Sequence, residues 1–370
     1  MTLRDADLVR FLEDREKLDV PGNGLLVWHK GKEIFRHFSG NAGPETLFRI
    51  FSMTKVATVT AALQLMERGL FTMEDPLGDY LPEYAEMTVW DKEKNEAVPA
   101  KNTLRVRDLF CMSAGLTYGG EWSENGRQID RIRAELAEKH DGNYTTQEFA
   151  RAIAKAPLLF EPGTHWNYSL CHDVLGALIE VLSGENFGEY LEKHIFAPLG
   201  MKDTGFHCPE DKQDRIAQFG DGSDDGRNAM YAPGVKYESG GGGLLSTADD
   251  YMKFAEALTH MGTATDGTRI LGRKTVDLLR QDQLNADQKA DFNWDYLKGY
   301  SYGLGVRTLL DPAKAGIPGS VGEFGWCGVL GTWMLMDPEE ELSVIYMHQR
   351  TPNLEKYVQT HLRSMIYSMI

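Results

Sequence analysis

Ser52 and Lys55, three residues apart in Phe48-Arg-Ile-Phe-Ser52-Met-Thr-Lys55, are the side chains best suited to chemistry in this sequence. The spacing predicts that Ser52 stands where an irregular stretch turns into a helix, with Lys55 on the same helical face. A serine hydroxyl is a poor nucleophile until a base removes its proton, and a desolvated lysine can be that base. Negative charge developing beside Ser52 would also be favoured by the N-terminal end of the helix.

A second candidate is Tyr168, in Glu161-Pro-Gly-Thr-His-Trp-Asn-Tyr168-Ser-Leu-Cys-His-Asp. A phenol beside a lysine ammonium can hold a lowered pKa, take the serine proton and return it to a leaving group. A third segment, Phe324-Gly-Trp326-Cys327-Gly328-Val329, reads as a strand that would line a cleft.

In this order the three segments resemble the serine β-lactamase-like family, the class C β-lactamases and penicillin-binding proteins, and are most similar to family VIII carboxylesterases. Leu104 to Tyr118 and Gly241-Gly-Gly-Leu-Leu-Ser-Thr resemble further family segments, so the likeness runs from about residue 20 to residue 350. It implies that Ser52 is acylated, that Lys55 and Tyr168 move its proton, and that the backbone N–H groups of Ser52 and Val329 form the oxyanion hole. It also implies substrate contacts from Tyr118, Leu170, Trp326, Cys327 and Gly328.

Two departures narrow the implied activity. Leu170 stands where the β-lactamases carry Asn, which removes an amide from the lysine and the substrate. Trp326 stands where they carry the Lys of Lys-Thr-Gly, and an indole cannot grip a substrate carboxylate as an ammonium does. The expectation is therefore a carboxylesterase on small neutral esters with weak or no β-lactamase activity. Acyl transfer and D-amino-acid peptide cleavage would use the same residues, and a penicillin- or peptidoglycan-binding protein without turnover is the alternative of another class.

Other candidates carry less. Gly299-Tyr-Ser301-Tyr-Gly303 fits a nucleophile elbow, but the strand-like run Leu304–Leu310 follows where a helix is required. His165 and His172 flank Tyr168 without metal-ligand spacing and read as surface or packing residues, and Trp166 reads as core. Cys111, Cys171, Cys208 and Cys327 form no C-x-x-C pair and read as free, buried thiols. No metal or organic cofactor is required.

The elements that must hold these residues are legible as well. Gly24–His29 with Glu33–Phe38, and Gly331–Met336 with Leu342–Met347, read as two hairpins, one near each end of the chain. Helices are predicted over Lys55–Arg68 and Cys171–Leu182, closing on Gly69 and Ser183-Gly184, over Arg105–Cys111, and in a final stretch from about Leu354. Hairpins from both ends with helices between give an α+β class: an antiparallel sheet built from the N- and C-terminal segments and flanked by helices. The expected division is a discontinuous body of residues 1–75 and 205–370 and an inserted, mainly helical lobe of residues 76–204, with the active site between them. Ser239-Gly-Gly-Gly-Gly243 is expected as a tight, backbone-exposed turn.

A formal charge of −16 over 370 residues, without a basic cluster, opposes binding to nucleic acid. No apolar run is long enough to span a bilayer. The charged first residues lack the pattern of a signal peptide, so the expected setting is the cytoplasm, the alternative being a mature form whose leader was cut away, and the expected partner is a small ester or amide, with oligomeric state open.

Overall fold

The computed structural model describes residues 3–219 and 227–370. Its main element is a seven-stranded, fully antiparallel sheet in the order β2-β1-β11-β10-β9-β8-β7. The N-terminal hairpin supplies β1 (Gly22–His29) and β2 (Lys32–Gly40). Later residues supply β7 (Tyr300–Tyr302), β8 (Arg307–Leu309), β9 (Phe324–Cys327), β10 (Trp333–Asp337) and β11 (Leu342–His348). Both expected hairpins exist, and β1 and β11 join them, with Leu25 facing Tyr346 and Val27 facing Val344.

Strand alternation divides the side chains between two apolar layers. On one face Leu25, Val27, Trp333, Leu335, Val344 and Tyr346 are covered by the helices α1 (Leu3–Glu13) and α12 (Glu355–Tyr367). On the other face Leu26, Trp326, Met334, Ile345 and Met347 join a larger cluster that contains most of the helices.

That second layer centres on α2 (Thr54–Glu67), which is buried on almost every side and stops at Gly69, where φ is +73°. Around it stand α3 (Val106–Phe110), α4 (Glu124–Lys139), α5 (Thr146–Ile153), α6 (Cys171–Ser183), α7 (Phe187–Leu191) and α8 (Ala248–Thr259). Further out are α9 (Arg273–Leu279), α10 (Ala286–Asp291) and the one-turn α11 (Pro312–Ala315). Two small pairings complete the fold: β3 (Phe48–Arg49) with β6 (Leu245–Ser246), and the ribbon of β4 (Thr88–Asp91) with β5 (Glu96–Pro99).

The Ser239–Gly243 turn departs from expectation. It is not exposed: Gly240 lies buried between α2 and α6, Gly241 against α6, and Gly243 against Phe206. None of these glycines has a positive φ, and the reason for them is close approach. A Cβ at Gly240 would lie 2.2 Å from the His172 carbonyl, and one at Gly241 2.5 Å from Asp173 Oδ2.

Candidate active site

Ser52 sits in a single 3₁₀ turn, Phe51–Met53, that runs directly into α2. The turn is held from three parts of the chain. Ile50 N–H donates to Leu244 O at 3.1 Å, Thr332 Oγ1 to Ile50 O at 3.2 Å, and Tyr251 Oη to Met53 O at 2.6 Å. Phe51, immediately before Ser52, has φ +43°. An aromatic residue in the left-handed region costs on the order of 1–3 kcal/mol and persists only where its surroundings fix it.

Lys55 follows three residues later, fully buried, with its Nζ 3.3 Å from Ser52 Oγ. The same nitrogen donates to Gly241 O at 2.6 Å and to Tyr118 Oη at 3.2 Å. Burial lowers its pKa to about 8, with the neighbouring Asp173 charge acting in the opposite direction. From about pH 8 upward, much of Lys55 is therefore a free amine beside the serine.

Tyr168 Oη receives the Trp326 indole N–H at 3.0 Å and is hydrogen-bonded to Ser52, while its ring centroid lies 4.6 Å from Lys55 Nζ. Here the electrostatics differ from the expected lowered phenol pKa. Burial pushes Tyr168 up, and its hydrogen bonds with Ser52 and Trp326 offset only part of this. Tyr168 is thus held as a neutral phenol and Lys55 is the group poised to accept a proton. The phenol's surroundings are aromatic: Trp294 stands edge-on at 5.6 Å, Trp326 lies at 5.6 Å and Tyr118 at 5.9 Å between centroids.

The structure brings Ser52, Lys55, Tyr168, Tyr118 and Trp326 together. Cys327 is different: strand alternation turns its thiol to the opposite face of the sheet, where Sγ lies 2.7 Å from Glu355 Oε1. As a side chain it does not reach the site. Leu170 lies in the main apolar cluster at the entry to α6 and offers no polar group there. Gly328 is required for close packing, since a Cβ would lie 2.5 Å from Ile50 O, and its N–H donates to Thr332 O at 2.8 Å. The next residue, Val329, is exposed, and its N–H donates to no acceptor among the described residues.

Ser301 lies on β7, buried, with Oγ donating to Asp282 at 2.6 Å. A strand follows it, as the sequence indicated. His165 is exposed and 2.9 Å from Asp291 Oδ2. His172 is fully buried beside Lys55 with neither ring nitrogen hydrogen-bonded, and burial, with the Lys55 charge, keeps it neutral. Trp166 packs among Phe292, Trp294 and Tyr302 as core. All four cysteines are free and buried.

Two residues escaped the sequence reading. Trp294 closes the aromatic wall from a loop that has no periodicity to mark it. Asp173, 1% exposed, accepts from Tyr237 Oη at 2.7 Å and Ser239 Oγ at 2.6 Å. Its signal was a carboxylate in the first turn of an otherwise apolar helix.

The family model Beta-lactamase matches residues 9–364. Protein Rv1367c of Mycobacterium tuberculosis is 34% identical over 324 residues, which cover 84% of this chain and 79% of that protein. Esterase EstB of Burkholderia gladioli is 29% identical over 358 residues, covering 88% and 85%. Among solved structures, EstCE1, a hydrolase with promiscuous acyltransferase activity, superposes with a TM-score of 0.79 at 24% identity over 98% of both chains. Unliganded, selenomethionyl simvastatin synthase (LovD) of Aspergillus terreus superposes with a TM-score of 0.80 at 22% identity, covering 99% of this chain and 98% of that one. No helix among the described residues is long and apolar enough to cross a membrane.

Proposed function

The chain belongs to the Beta-lactamase family, and from that premise we propose a serine hydrolase that turns over small neutral esters through an acyl-enzyme. The observation that carries this reading is the buried Lys55 amine, with a pKa of about 8, 3.3 Å from Ser52 Oγ. In this reading the site opens between a body of residues 1–75 and 205–370 and a mainly helical lobe of residues 76–204.

Lys55 takes the Ser52 proton as Oγ bonds to the ester carbonyl carbon. The carbonyl oxygen becomes an oxyanion that accepts from the backbone N–H groups of Ser52 and Val329. As the intermediate collapses, the bond to the alcohol oxygen breaks and Tyr168 protonates the leaving alcohol, its own proton being replaced from Lys55. Water, deprotonated by the same pair, then attacks the acyl-enzyme and releases the carboxylic acid. The indole of Trp326 and the buried Leu170 present no charge to a substrate carboxylate, which supports neutral esters over penicillins.

The direct test combines labelling of Ser52 by a fluorophosphonate probe with kcat/KM for p-nitrophenyl butyrate and for benzylpenicillin. Labelling with efficient ester turnover and poor penicillin turnover is expected. Efficient penicillin turnover with poor ester turnover would overturn the substrate class. A second reading, acyl transfer to an alcohol, is favoured by the esterase and acyltransferase names among the relatives. Partition of the acyl group between water and added methanol measures it.

A further inference from the structure

Lys55 can serve as a base only if its lone pair faces Ser52. A neutral amine has two N–H bonds and one lone pair, and the nitrogen turns freely about its last carbon unless its hydrogens are engaged. Here Gly241 O, at 2.6 Å, and Tyr118 Oη, at 3.2 Å, take up the two N–H directions and leave the third, toward Ser52 Oγ at 3.3 Å, for the lone pair. The shortest of these contacts comes from the glycine turn, so the position of that turn sets the direction of the base.

Asp173, in the first turn of α6, pins the turn. Its Oδ1 accepts from Tyr237 Oη, from Ser239 Oγ and, at 3.4 Å, from Gly241 N–H. From the opposite side Thr58 Oγ1, one helical turn beyond Lys55, donates to Gly240 O at 2.8 Å. The turn is thus clamped between a carboxylate on α6 and two side chains on one face of α2. Glycine at 241 is the residue that permits the carboxylate to come so near.

We propose that Asp173 is the positioning residue of the catalytic base: through Gly241 it holds the Lys55 lone pair on Ser52. The proposal rests on the assignment of Ser52 and Lys55 made above. Facing Lys55 are Cys171, His172 and Asp173 from α6, and Tyr118 and Tyr168 from the flanking segments, while the Cys327 thiol acts on it only from the far face of the sheet. Burial raises both thiols and both phenols and depresses His172, so these stay neutral near pH 8. Asp173 is the carboxylate that acts on the amine, and it acts against the burial that lowers the amine's pKa.

The test is the pH profile of kcat/KM for p-nitrophenyl butyrate in Asp173→Asn, with Ser52→Ala as the control. The amide keeps the shape and an acceptor for Tyr237 and Ser239 but removes the charge. We expect kcat to fall about 10–100-fold with KM nearly unchanged, and the acid limb to move to lower pH by about one unit. A folded Asp173→Asn protein with an unmoved acid limb and kcat within about two-fold overturns the proposal. Should Asp173→Asn fail to fold, Ser239→Ala removes one tie and leaves the carboxylate in place. A roughly 3–10-fold loss in kcat without a shift of the limb is then expected, and unchanged kcat overturns the positioning role. An active Ser52→Ala protein would instead refute the underlying assignment, whatever Asp173 does.

Discussion

The Trp326 indole donates its N–H to the Tyr168 hydroxyl at 3.0 Å, joining residues 158 positions apart. The bond occupies one lone pair of the phenol oxygen and holds the ring in place beside Ser52. Replacing Trp326 by Phe keeps a ring against Tyr168 and removes the donor. A neutral hydrogen bond contributes about 0.5–1.5 kcal/mol, so kcat should fall about 2–12-fold with little change in Tm. Unchanged kcat in Trp326→Phe would show that the indole acts only as packing.

Ser52 and Ser301 separate cleanly. Ser52→Ala should abolish ester hydrolysis and fluorophosphonate labelling. Ser301→Ala should keep most of the activity and cost about 1 kcal/mol of stability, through the lost bond to Asp282. Comparable loss of activity in both variants would contradict the assignment of Ser52.

Tyr168→Phe removes the proton carrier with almost no change of shape. Groups of this kind contribute ~10²–10⁴-fold, and a decrease in kcat of that size is expected at near-constant Tm. Lys55→Ala should be at least as damaging, and the double variant should lose much less than the product of the two. Near-normal kcat in folded Tyr168→Phe would remove Tyr168 from the mechanism.

In the unaltered protein kcat/KM should rise with pH through about 8, as Lys55 becomes the free amine, and level off above it. A profile flat between pH 6 and 9 would argue against Lys55 as the base.

The same shift has a sign for stability. Lys55 titrates near 8 when folded, against an ordinary value of 10.5, so the unfolded chain binds more protons between these values and stability rises with pH across that window. Below pH 8 the full deficit is present, about 3 kcal/mol by linkage. Lys55→Met should therefore raise Tm by a few degrees at pH 7 while abolishing activity, and the gain should shrink toward pH 10. Differential scanning calorimetry at both pH values measures this; a Tm lowered equally at both would contradict it.

The sequence disclosed what local pattern controls. A long apolar stretch and the Gly69 stop mark α2, alternation and turn residues mark both hairpins, and Ser-x-x-Lys marks one face of one helix. It was silent where the answer depends on long-range packing. Strands β7 and β8 are three residues each, too short to show a period. The glycines at 240–243 look like those of an exposed turn, and only the packing of α6 shows that they admit a carboxylate and a carbonyl. The face taken by Cys327 follows from alternation once β9 is known to start at Phe324. The phenol of Tyr168 was misjudged because a nearby ammonium is visible in the motif whereas the depth of burial is not.

The pairing of β1 with β11 dictates an order of events during synthesis. Arg49, three residues before Ser52, is hydrogen-bonded through its backbone to Gln349, 300 positions later. On the ribosome, β1 emerges early and must wait for almost the whole chain before its second neighbour arrives, with Leu25, Leu26 and Val27 unsheltered meanwhile. Trimming the chain back into β11 would leave that strand as a bare apolar edge, a template for association with other copies, and would also release the support beneath Ser52.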